Sequence, residues 1–353
     1  MRPPAHARLS LTGIHLSVFI IEDTSLLLTG KGICMPRFLI IAVALFISWS
    51  ANSMEMSVPN AVTATVTAAD PAVNSICPSA PRRGALYKIR HDGKTSYLFG
   101  TIHVGKQGFF PLEPEVTRAL ADASALVLEL DTRAHKPFEQ ALAKYGSYPA
   151  GDAITRHLSP YALGQLNKAL AKAGIALANV AMYRPWLVAN ILVGSEIEKH
   201  GYHRSNGVEG FLLSTAIEQK KTVHELESAD YQLSLFASLD DAQQERYLLE
   251  NLEELENGRA VQKSAGLIDA WSNADAARIA VMARELTSGD SVSATFMDRT
   301  LLGKRNPEMA AQIEQIMRTD QIAFVGIGLL HLVGDNGIPE LLRQRGYQVE
   351  KVY

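Results

Sequence analysis

The chain is 353 residues long, 47% hydrophobic, 20% charged and close to neutral at −3. That balance excludes nucleic acid or an anionic membrane as a partner held by bulk charge. It also excludes disorder over most of the length, because there is enough apolar material for a sizeable core.

The first 82 residues read apart from the rest. Met35 and Arg37 precede an apolar run from Phe38 to Trp49, and small residues follow. That is the order of a secretory signal, and the run of about 12 residues falls short of the roughly 20 a spanning helix needs. The expectation is that translation begins at Met35, with residues 1–34 a mis-assigned start, 35–53 a cleaved signal and 54–82 a flexible Ala/Thr/Val/Pro/Ser leader. The mature protein is then exported, periplasmic or secreted, with no stable membrane span. Only Cys34 and Cys77 occur, so Cys77 is alone once the signal leaves and no disulfide forms within the domain.

One folded domain is expected over 83–353. "GALYKIRHDGKTSYLFGTIHVG" holds two strand-like runs around Asp92-Gly93, a strong hairpin signal. A helix to about Ala123 and a strand over 125–131 follow. Ser159, Pro160 and Gly174 bracket a helix as cap, first-turn proline and stop. A more apolar helix starts at Pro185, a helix over 208–219 leads into a strand over 222–227, and "DDAQQERYLLENLEELENG" is amphipathic. The last section reads strand, loop, helix, strand, its helix stopped by Gly346. Strands alternating with helices predict an α/β fold: a mixed central sheet flanked by helices, with a largely helical middle insertion.

Two strands end in Gly-x-x-His: Gly100 to His103 and Gly328 to His331. With 25 Gly and 10 His in the chain, chance alone supplies about 0.7 such matches, so the weight lies in the strand before each and the second glycine after each, Gly105 and Gly334. Ligands of open α/β sheets sit beyond the carboxyl ends of strands, and imidazole serves as metal ligand or general base. Each histidine alternatively bonds a loop carbonyl.

Acids complete the pattern. Glu129 follows Leu-Val-Leu and needs a cation, a histidine, a metal or a core arginine, because an unpaired buried acid costs several kcal/mol. Asp131 is expected on the same strand face. Glu209 opens a helix, where it caps or reaches a site. Glu225 and Glu227 share a strand face. Arg305 and Asn306 precede Pro307, and Asn306 fits an N-cap. His200 and His203 fit a surface helix end better than a ligand pair. No Gly-x-Ser-x-Gly elbow, P-loop, dinucleotide fingerprint or His-Glu-x-x-His occurs.

"YLFGTIHVG", "LVLELD", "YRPW", "NGVEGFLLSTAIEQKKTVHELES", Arg305-Asn306 before "MA", and "GIGLLHLVGDNGIPELLRQRGYQV", in this order, resemble the TraB/GumN family, which includes pheromone-shutdown proteins and is related to the TIKI metalloproteases. The resemblance covers about residues 83–353. It implies the α/β fold of the erythromycin-esterase-like and ChaN-like proteins and a divalent-metal site (Mn, Co or Zn). It places His103, Glu129 and His331 as ligands and Glu209, Arg305 and Asn306 as catalytic groups. In that assignment Glu209 is the general base and Arg305 steadies an oxyanion. Gly100, Glu227 and Gly328 support them. The implied activity is an exported metal-dependent hydrolase acting on a peptide or protein substrate. The alternatives are a non-catalytic peptide- or signal-binding protein and a polysaccharide-related accessory protein. Metal identity, substrate and oligomeric state stay open.

Overall fold

The computed structural model describes residues 82–319 and 321–353. The expected start, signal, most of the leader and both cysteines lie outside the described residues.

Six strands form one sheet: β1 (Leu86–His91), β2 (Lys94–Thr101), β3 (Ala125–Leu128), β4 (Thr222–Glu225), β5 (Ala323–Gly328) and β6 (Gln348–Lys351). Their order is β4-β3-β5-β2-β1-β6. β4, β3, β5 and β2 run parallel, whereas β1 pairs antiparallel with both β2 and β6. The sequence explains the order. Ala-Leu-Val-Leu in β3 and Ala-Phe-Val-Gly-Ile-Gly in β5 are buried at every position, as strands covered on both faces must be. The edges fall to Thr-Val-His-Glu and Gln-Val-Glu-Lys, whose polar side chains tolerate water. Asp92 (φ 49°) and Gly93 (φ 75°) are both left-handed, the conformation a two-residue hairpin turn requires.

Two apolar clusters fill the domain. One lines the sheet and includes Phe99, Leu126, Val325 and Ile327. The other lies among the middle helices, around Trp186, Phe236, Tyr247 and Leu248. The expected helical insertion is therefore present, with a packed interior of its own. Its caps match the sequence: Ser159 accepts from Ala162 N–H at 3.2 Å, and Gly174 ends Pro160–Ala173 at φ 72°. Asp240 and Gln243 cap Asp241–Glu256 reciprocally. Among the described residues no helix is long and apolar enough to cross a membrane.

Three expectations are corrected. The strand drawn over 125–131 stops at Leu128, and Asp131 turns away to bind Arg133 Nε at 2.8 Å instead of sharing a face with Glu129. The strand drawn over 222–227 stops at Glu225, although two further backbone bonds, Leu226 N–H to Leu128 O (2.9 Å) and Glu227 N–H to Glu129 O (3.1 Å), prolong the pairing. Asn306 is not an N-cap. Val292–Thr295, a π-helical stretch Phe296–Lys304 and Arg305–Met317 form one continuous rod, and Asn306 lies inside it. The widened π turn ahead of Pro307 changes the bonding register where the proline lacks an N–H.

Candidate functional site

The parallel register brings the carboxyl ends of three neighbouring strands to one edge. Thr101 of β2 stands opposite Gly328 of β5, and Leu128 of β3 opposite Gly326. His103, Glu129 and His331 follow those ends by two, one and three residues. This is where a parallel sheet places its ligands.

Gly328 is the meeting point. A Cβ built on it would stand 3.1 Å from Glu129 Oε1 and 3.3 Å from His103 Nε2, so the absent side chain leaves an opening between the acid and the imidazole. His331 Nε2 is 3.9 Å from the same Oε1. The two Gly-x-x-His segments and the acid therefore converge. Gly100 acts differently: a Cβ there would meet Leu329 Cδ1 at 2.6 Å, so its role is close packing of the Leu329–Leu332 turn on β2.

Around these three stands a layer of polar partners. Glu129 Oε1 accepts from Gly328 N–H at 2.7 Å, and Oε2 from Arg305 Nη2 at 2.6 Å. Arg305 also donates from Nε and Nη2 to Glu227, at 2.9 and 2.6 Å. Glu129 and Glu227 are neighbours because β3 and β4 are paired to their ends, so one guanidinium answers two buried carboxylates. Gln232, 3% exposed, donates to Glu227 Oε2 at 2.7 Å. Asn306 Oδ1 accepts from His331 Nδ1 at 2.5 Å and its Nδ2 donates to Asn336 O at 2.7 Å, which fixes the ring with Nε2 on the Glu129 side. Glu209, in the first turn of Val208–Glu218, accepts from Thr101 Oγ1. Its Oε1 lies 2.8 Å from His103 Nδ1, a charge pair in which the ring N–H is not aimed at the oxygen.

Electrostatics divide the two histidines. Burial opposes charge on His103, but the Glu209 and Glu129 carboxylates outweigh it and hold the ring at about 9, cationic at neutral pH. Burial and the nearby Arg305 press His331 down to about 3, so it is neutral with a lone pair to offer. Burial would raise Glu129, yet Arg305, His331 and His103 bring it to about 2. Glu209 is likewise lowered by His103 against the effect of burial. Arg305 is raised because its two carboxylates overcome its desolvation.

The site opens into a cavity of about 430 Å³, walled by the strand ends on one side and by helices Pro185–Lys199, Asp241–Glu256 and Arg259–Ser272 on the other. Two imidazoles and a carboxylate are donors that suit zinc or manganese, and the opening at Gly328 lies between two of them. Among the described residues no three His, Cys, Asp or Glu side chains already stand arranged to hold a metal. The donor chemistry fits, and ligation by His103 requires loss of its proton.

A model of the TraB/PrgY/gumN family matches residues 85–351. The chain belongs to that family. Among curated proteins, this TraB-family chain is similar to "Uncharacterized protein YbaP" of Shigella flexneri, 26% identical over 250 residues that cover 70% of this chain and 88% of that one. The protein of the same title in Escherichia coli K12 is 26% identical over 249 residues, covering 70% and 87%. "Metalloprotease TIKI1" of Danio rerio is 24% identical over 320 residues, covering 77% of this chain and 64% of that protein. No solved structure matches.

Of the residues singled out in the sequence, the structure gathers His103, Glu129, Glu209, Glu227, Arg305, Asn306, Gly328 and His331. It leaves out His200, which caps its helix through Glu196 O, and Glu225, which accepts from Asp131 N–H. Thr101 and Gln232 were missed. Thr101 carried a signal, a hydroxyl at the end of an apolar strand beside Gly100. Gln232 carried a weaker one, a lone amide in Tyr-Gln-Leu-Ser-Leu-Phe.

Proposed function

We infer that the chain is a metal-dependent hydrolase acting on amide bonds of a peptide or protein after export. The observation that carries this reading is the convergence of His103, Glu129 and His331 on Gly328 at the mouth of the cavity. The resemblance to a protein titled metalloprotease supports it, and the signal-like segment at 35–53 supports export.

His103 Nε2, Glu129 and His331 Nε2 would hold the ion. A bound divalent ion supplies Lewis-acid polarisation of a carbonyl and, for zinc, lowers the pKa of water to about 7. The chain's own residues do the rest. Asn306 keeps the His331 proton on Nδ1, which leaves Nε2 as donor. Arg305 keeps Glu129 ionised and, with both Nε and Nη2 given to carboxylates, acts by holding that acid in place. Glu209 stands beside Nδ1 of His103, on the ring's far side from Nε2, so its charge holds that ring in place through an ion pair. In this reading Glu209 and Arg305 are positioning groups, in place of the general base and oxyanion donor that the family resemblance assigns.

The test is turnover of a peptide library by the dialysed protein with and without Mn²⁺, beside His103→Ala. Metal-stimulated cleavage lost in the variant is the expected result. Tight peptide binding unaffected by EDTA, with no cleavage, would replace the hydrolase with a binding protein. N-terminal sequencing of exported protein tests the signal.

A further inference from the structure

The cavity wall opposite the strand ends contains a polar group that the ion-holding residues do not engage. Helix Pro185–Lys199 begins Pro-Trp-Leu-Val-Ala-Asn-Ile-Leu-Val-Gly, buried throughout, with Asn190 the lone amide in that run. Asn190 is 1% exposed and lines the cavity with His103, Val193 and Tyr247. Its Oδ1 accepts from Tyr247 Oη at 3.0 Å. Its Nδ2 is buried with no hydrogen-bond partner. Buried amide donors are rarely left unpaired, because desolvation without a bond is unfavourable. Turning the amide over does not remove the surplus. Tyr247 brings one donor hydrogen and Asn190 two, and the pair can use only one between them.

We propose that Asn190 is a substrate-recognition residue: its amide, bonded to Tyr247 Oη, turns its Nδ2–H out of its buried position to donate to the carbonyl oxygen of an amide in the substrate. An uncharged donor fits an uncharged acceptor. Val193, Phe296, Met297 and Leu301 give the same cavity an apolar portion, and the group carried beside that carbonyl is an aliphatic side chain that it can take. The word substrate rests on the hydrolase reading, whereas the contact itself needs no turnover.

The probe is N-acetyl-L-leucinamide, titrated into the full chain in EDTA by calorimetry and by its effect on the melting temperature. Wild type should bind. Asn190→Leu and Asn190→Asp should weaken binding about tenfold, equal to 1.4 kcal/mol, with Tyr247→Phe in between. The double variant Asn190→Leu/Tyr247→Phe removes both polar partners at once, so it should lose binding yet melt at or above wild type. Absence of binding by wild type, or unchanged binding by Asn190→Leu, overturns the proposal. So does a double variant that melts well below wild type, since Asn190 would then be a structural bond. Binding through Asn190 with no cleavage in the library assay keeps this contact and removes the hydrolase.

Discussion

Arg305 stands between Glu129 and Glu227, and all three side chains are less than a tenth exposed. Removing the cation strands two buried carboxylates, so Arg305→Met should cost about 3–5 kcal/mol in denaturant unfolding. Arg305→Lys should not restore it, because an ammonium cannot present the same fork. At Gly328, an added methyl would press on Glu129 Oε1 and His103 Nε2. Gly328→Ala should therefore cut turnover more than tenfold while leaving circular dichroism unchanged, and full activity in that variant would contradict the site. At this scale much was legible. An acid directly after Leu-Val-Leu had to find a counter-charge, and both readings of Glu129, histidine and core arginine, meet in one place. Asn190 was not legible, because a polar residue inside an apolar helix does not announce whether the group across from it satisfies it.

Elements were legible where the signal is local. Asp92-Gly93, Ser159, Pro160 and Gly174 each act through the backbone of their own few residues, and each stands where expected. Ser159→Ala should destabilise by about 1 kcal/mol, measured by thermal melting, since it loses the bond to Ala162 N–H. The rod from Val292 to Met317 was illegible for the opposite reason. A π stretch is held by what packs around it, and the Asn-Pro pair within it resembles a helix start. In that stretch a Cβ on Gly303 would meet Asp298 O at 2.8 Å, a backbone atom that cannot step aside. Gly303→Ala should cost about 1–3 kcal/mol, and a melting temperature equal to wild type would argue against the π register. β3 and β4 came out shorter than drawn because Glu129 and Glu227 are drawn to Arg305 as the ladder ends.

For the molecule as a whole, the site makes stability depend on pH. His331 is lowered from 6.5 to about 3, so the unfolded chain takes up its proton first and stability falls as pH drops from 6.5 toward 3. Glu129, lowered from 4.5 to about 2, adds to that loss below pH 4.5. His103, raised from 6.5 to about 9, stabilises fully below pH 6.5 and loses its contribution as pH climbs through 9. In chelator the melting temperature should thus peak near pH 6.5 and decline on both sides; a profile level from pH 4 to 9 would refute this. The central pairing of β2 with β5 has one more consequence. These strands are neighbours in space yet stand more than two hundred positions apart along the polypeptide. A nascent chain that has cleared the ribosome as far as the middle helices carries His103 and Glu129 but not yet His331. The proposed ion site is thereby incomplete through most of synthesis, and its three side chains come together only when β5 docks against β2.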